Sequence, residues 1–158
     1  MFKAKTNSPE ETQRLAARIA EFVVSKDLLL LVGDLGAGKT AFTQGFGESL
    51  GVKGPITSPT FTLAKGYSGR LTLHHLDVYR IENLEEVRDL ALPELLEGDS
   101  VTVIEWGDQI RSAIPQNYLE VRFEYGCEEN ERNVTISYIG VSWHDRIEKL
   151  QEALAEWA

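Results

Sequence analysis

The stretch that most restricts the fold lies between residues 28 and 51. Leu28 to Val32 is an unbroken run of five apolar residues. A run this short and uniformly apolar predicts a strand buried on both faces, as in a parallel sheet covered by helices, rather than a strand with one wet face. It passes directly into Gly33-Asp34-Leu35-Gly36-Ala37-Gly38-Lys39-Thr40. Beyond that, Phe42, Phe46 and Leu50 recur at helical spacing, with Gly51 placed to end the helix. Buried strand, glycine-rich turn and helix in immediate succession predict an α/β fold with a mixed sheet.

The turn matches the pattern G-x-x-x-x-G-K-[ST], and the residue types follow from the task of holding a polyphosphate. Glycines let consecutive backbone N–H groups curl around an anion, and the helix starting near Lys39 adds its positive end. Lys39 has the reach for β and γ phosphates, and the Thr40 hydroxyl is a ligand for Mg²⁺. A glycine-rich connector with an exposed lysine would need neither the buried strand before it nor the helix after it. The fold expected is therefore a P-loop NTPase-like mixed β-sheet flanked by helices on both faces.

Length and composition agree. At 158 residues and 42% hydrophobic content the chain is predicted to form a single domain over residues 1–158. Its lone cysteine, Cys127, excludes an internal disulfide and a multi-cysteine metal site, and suits the reducing cytoplasm. The first thirty residues carry Glu10, Glu11 and Glu21 and do not read as a secretory leader, and no apolar run approaches membrane length. The net charge of −9 argues against direct nucleic-acid binding and against docking on an anionic membrane. That charge is uneven: residues 39–80 hold five basic and two acidic side chains, whereas residues 81–158 hold six and eighteen.

Other elements are legible in outline. Phe2 to Thr6 reads as a strand. Ser8-Pro9-Glu10-Glu11 reads as a capped helix start, and Leu15, Ile19, Phe22 and Val23 carry that helix to about Val24. Phe61 to Tyr67 and Leu71 to Leu76 predict a hairpin about Ser68-Gly69. Short helices are expected at Leu84 to Leu90 and Pro93 to Leu96, and a second apolar strand at Val101 to Ile104. Tyr118 to Tyr125 pairs with Asn133 to Ile139, and a last helix starts at Ser142.

Three further clusters carry chemistry. Glu105, at the end of Val101-Thr102-Val103-Ile104, sits where a Walker B acid holds the metal shell or polarises a water. Thr57-Ser58-Pro59-Thr60-Phe61 offers hydroxyls on a proline-stiffened loop, as a switch loop does. In His75-Leu76-Asp77-Val78-Tyr79-Arg80, alternation places His75, Asp77 and Tyr79 on one face. Asp77 is the candidate to orient or deprotonate an attacking water, with His75 and Tyr79 as supports. The guanine-reading pattern N-K-x-D is absent from the sequence.

The P-loop, T-S-P-T-F, H-L-D-V-Y-R and the pair Glu105-Trp106, in this order and spacing, resemble the TsaE (YjeE) family over nearly the whole chain. The resemblance implies a small ATPase acting with TsaB and TsaD proteins to place threonylcarbamoyl on adenosine 37 of tRNA, with tRNA met only indirectly through those partners. It also implies functional roles for Lys39, Thr40, Thr57, Thr60, Asp77 and Glu105. The expected mechanism is slow hydrolysis of MgATP: Gly33, Leu35, Gly36, Ala37, Gly38, Lys39 and Thr40 hold phosphates, and Thr40 and Glu105 hold Mg²⁺. Either Asp77 or Glu105 positions the water. Ser8 is a candidate contact to the adenine edge, and Arg132 a candidate to stack on the ring. Two alternatives stand beside this reading: a small-molecule kinase using the same loop, and a binding module whose nucleotide state controls assembly.

Overall fold

A computed structural model describes residues 1–34, 36–57, 64–78, 92–105 and 111–158. Its strands are β1 (Phe2–Thr6), β2 (Leu28–Val32), β3 (Ala64–Tyr67), β4 (Thr72–Asp77), β5 (Ser100–Glu105), β6 (Tyr118–Tyr125) and β7 (Arg132–Ile139). Its helices are α1 (Pro9–Ala20), α2 (Lys39–Ser49), α3 (Leu92–Glu97) and α4 (Ile147–Ala153), with a 3₁₀ turn at Ala155–Trp157.

All five residues of β2 are buried, because β2 is the middle strand of one seven-stranded sheet in the order β1-β7-β6-β2-β5-β4-β3. It runs parallel to both neighbours, with Leu30 opposite Ile104 of β5 and opposite Glu120 of β6. The strands at each margin, β1 with β7 and β3 with β4, pair antiparallel, so the sheet is mixed as expected. Leu29 and Leu31 point into a core with α1, α2 and the C-terminal segment (Leu15, Phe42, Phe46, Trp143, Leu150). Leu28 and Leu30 point the other way, onto Leu76, Ile104, Tyr118 and Leu92 of α3. Helices thus cover both faces, and among the described residues no helix is long and apolar enough to cross a membrane.

The hairpins fall where alternation places them, with Tyr67 opposite Leu73 and Tyr125 opposite Arg132. The cap of α1 also forms: the Ser8 hydroxyl accepts the Glu11 N–H at 3.1 Å, while the Glu11 carboxylate takes the N–H of Asn7 at 2.6 Å. Two helix limits differ from the sequence reading. α1 stops at Ala20 rather than near Val24, because the Asp27 carboxylate accepts the Val24 N–H at 2.9 Å and turns the chain toward β2. α4 starts at Ile147 rather than at Ser142. Residues 142–146 are shaped instead by long-range contacts: Asn117 Oδ1 accepts the Ser142 N–H, Trp143 is fully buried, and Arg146 reaches back to Asp27. The expected helix at Leu84 to Leu90 lies outside the described residues.

α1 and α2 pack closely enough that position 45 has no room for a side chain. A Cβ on Gly45 would lie 2.5 Å from Cα of Gln13, a backbone atom that cannot swing aside. Gly45→Ala is therefore expected to lower the melting temperature by several degrees. Overpacking of this kind costs about 1–3 kcal/mol, against the roughly 1 kcal/mol by which alanine favours a helix. Thermal unfolding followed by circular dichroism measures it, and an unchanged or raised midpoint would contradict the packing.

Candidate phosphate-binding site

β2, β4 and β5 run parallel, so their carboxyl ends lie along one edge of the sheet. In open α/β sheets, ligands bind outside that edge. The chain leaves β2 into the glycine-rich turn, whose middle is folded back on itself by an Ala37 N–H to Asp34 C=O bond of 3.0 Å. Gly36 (φ +80°) and Gly38 (φ +113°) adopt left-handed backbone that side chains disfavour, and Gly38 leads straight into the first turn of α2. Lys39 is buried, and its ammonium donates to the carbonyls of Gly33 at 2.6 Å and Asp34 at 2.8 Å, closing the turn from within.

Arg132 closes it from outside. Its guanidinium donates to the carbonyls of Ala37 (3.2 Å) and Gly36 (3.4 Å) in the loop, and to those of Glu129 and Glu131 (2.8 Å each) in the β6–β7 turn. Its face lies over the Tyr125 ring, 4.6 Å from the centroid. Because a trans peptide sets its N–H opposite its C=O, fixing the Ala37 carbonyl also fixes the Gly38 N–H, aimed to the other side of the loop. The turn before Arg132 is itself held by Glu131, whose carboxyl is kept below the usual carboxylate range by the Cys127 N–H and by Lys5, 3.1 Å away.

On the strand side, Asp77 of β4 stands opposite Glu105 of β5, and Glu105 stands opposite Leu31 of β2. Glu105 is buried, and His75 Nε2 lies 3.0 Å from its Oε2.

These parts enclose one cavity of about 290 Å³. The start of α1 lines it with Ser8, Pro9 and Thr12, the loop with Gly36, Gly38 and Lys39, and α2 with Thr40 and Ala41. Asp77 and Glu105 form the strand-end wall, and Asn130 and Arg132 the wall from the β6–β7 turn. Cationic groups thus gather at the loop and carboxylates at the strand ends. That polarity suits a polyphosphate with a hard cation at its far side. Among the described residues no three His, Cys, Asp or Glu side chains form a metal cage. Oxygen donors from Thr40, Glu105 and Asp77 fit a Mg²⁺ ion that takes one or two carboxylates and completes its shell with phosphate and water.

Of the residues singled out from sequence, Ser8, Gly36, Gly38, Lys39, Thr40, Asp77, Glu105 and Arg132 meet at this cavity. Ala37, within the loop, is buried. Thr57 is not in its lining: it is exposed, takes a hydrogen bond from Lys65 at 3.2 Å, and borders a separate depression with Gln44 and Ile56. Leu35, Thr60, Tyr79 and Trp106 lie outside the described residues. Arg132 faces Tyr125 and the loop carbonyls. Asn130 was not anticipated, and no pattern around it marks it.

A central β2 leading through a glycine-rich turn into α2, with acids at the adjoining strand ends, defines a P-loop α/β protein. The chain belongs to the TsaE family. The family model described as "Threonylcarbamoyl adenosine biosynthesis protein TsaE" matches residues 6–134. The tRNA threonylcarbamoyladenosine biosynthesis protein TsaE of Bacillus subtilis is 42% identical over 154 residues, 97% of this chain and 93% of that protein. The protein of the same name from Treponema pallidum is 37% identical over 132 residues, 84% of this chain and 97% of that protein. The crystal structure of Bacillus subtilis YdiB superposes with a TM-score of 0.75 at 38% identity, covering 98% of this chain and 94% of that one.

Proposed function

We propose that this protein binds and slowly hydrolyses MgATP in the cytoplasm, in support of threonylcarbamoylation of adenosine 37 in tRNA, together with partners of the TsaB and TsaD type. The observation that carries the ATPase reading is the meeting of Lys39, Thr40, Asp77 and Glu105 in one cavity at the carboxyl edge of β2, β4 and β5. Family membership carries the pathway.

In this reading the loop amides and the start of α2 bind the phosphates, and Lys39 shifts its ammonium from the loop carbonyls to the β and γ oxygens. Thr40 and Glu105 hold Mg²⁺, which when bound neutralises charge on the β and γ phosphates. Asp77 is less buried than Glu105 and orients the attacking water. The start of α1, with Ser8, faces the nucleoside. The excess of acidic side chains in residues 81–158 leaves little surface for tRNA phosphates, which fits tRNA being held by the partners.

Phosphate release from MgATP, measured with the full chain and no added acceptor, tests the reaction. Release that EDTA abolishes is the expected result. ADP formation that appears only when a small-molecule acceptor is added, with no inorganic phosphate released, would replace the ATPase with a kinase. Co-purification with and without ATP tests the partners.

A further inference from the structure

We infer that His75 is a positioning residue. By donating Nε2–H to Oε2 of Glu105, it sets the carboxylate that faces the metal side of the cavity. This rests on the reading of Glu105 as a Mg²⁺ ligand.

The geometry points one way. His75 and Glu105 lie on adjacent parallel strands, His75 opposite Val103 and Glu105 two residues further, on the same face of the sheet. The His75 side chain is wholly buried and that of Glu105 is 3% exposed, with 3.0 Å between Nε2 and Oε2. A carboxylate offers only acceptors, so the Nε2 nitrogen carries the proton. Nδ1 is buried and has no hydrogen-bond partner among the described residues. An imidazole with one nitrogen left unpaired is a poor choice for filling a core that leucine or valine would fill at no polar cost. What the ring supplies here is one N–H at one point. With Oε2 so held, rotation of the carboxylate is blocked and its other oxygen keeps a single direction. Partners that orient a metal ligand in this way typically change metal affinity by 10–100-fold.

Such a role separates from simple packing in the metal dependence of nucleotide binding. ATP affinity is measured by titration calorimetry for the full chain and for His75→Ala, His75→Gln, His75→Asn and Glu105→Gln, once in EDTA and once in excess MgCl₂. The expected wild-type result is tighter binding with Mg²⁺. Glu105→Gln loses most of that gain. His75→Ala and His75→Asn lose about tenfold of it, whereas His75→Gln, whose amide N–H reaches the former Nε2 position, keeps it. In EDTA the wild-type chain and the three His75 variants bind ATP alike. If His75→Ala does not fold, the Gln and Asn pair carries the comparison, since both are polar and only one is long enough. Loss of the gain in Glu105→Gln but not in His75→Ala or His75→Asn overturns the positioning role and leaves the metal reading intact. A full gain in Glu105→Gln overturns the metal reading, and the inference with it. Weakening in EDTA by the His75 variants would mark a structural role only.

Discussion

Lys39→Met is expected to leave a folded chain in which the proposed ATP turnover is lower by about a thousandfold. The ammonium is the group that can follow charge onto the β and γ oxygens as the terminal phosphoryl departs. Removing one preorganised donor of this kind costs about 10²–10³ in rate, and a cation that tracks the transferring phosphoryl is worth about 10³–10⁵. Methionine keeps a flexible apolar stem at a position only 5% exposed, so packing under the loop is largely conserved. It loses the bonds to the Gly33 and Asp34 carbonyls. Turnover is measured as phosphate release, and thermal unfolding of the same sample shows that the chain is folded. A variant with turnover within a few-fold of wild type would remove Lys39 from the reaction.

Arg146→Ala is expected to be strongly destabilising. Asp27 is 5% exposed and sits in the turn that aims β2. Arg146 meets it with two bonds, of 2.6 and 2.9 Å, donates also to the carbonyls of Phe22 and Ser142, and lies 3.9 Å from the centroid of the Trp143 ring. Truncation leaves a carboxylate buried without its cation, which typically costs about 3–5 kcal/mol. At about 2–4 °C per kcal/mol for a chain of this size, the melting temperature falls by about 10 °C. Arg146→Lys keeps the charge but not the paired geometry and lands between the two. Asp27→Asn combined with Arg146→Met recovers part of the loss, because no charge is then buried alone. An Arg146→Ala chain melting with wild type would show that the pair contributes nothing.

Why the sequence foretold some of this and not the rest is a matter of distance along the chain. The buried β2, the loop and α2 occupy consecutive residues, so a five-residue apolar run, two glycines and a helical repeat suffice to find them. The hairpins and the Ser8 cap are equally local. The ends of α1 and α4 are not. Both depend on the Asp27–Arg146 pair, whose members are 119 residues apart, and local periodicity carries the pattern past the point where that pair bends the chain. The same limit applies in the cavity. His75 and Asp77 stood out as alternating residues of one strand, yet the partner of His75 is 30 residues away. Arg132, a candidate to stack on the nucleotide ring, lines the cavity, but its bonds are to the loop carbonyls, 95 and 96 residues away. Its face also lies over Tyr125. Thr57 was grouped with the site by its residue type, and its hydroxyl is instead bonded to Lys65.

The bonds from Arg132 to Ala37 and Gly36 span 95 and 96 residues. The glycine-rich turn is therefore written early in the chain and finished late. In a chain still being synthesised, β2 and α2 emerge long before β6 and β7, and the carbonyls of Gly36 and Ala37 stay without their cation until the last hairpin docks beside β2. A product interrupted before Tyr118 carries the whole motif but not the residue that braces it. The brace on the turn therefore arrives only with the completed sheet.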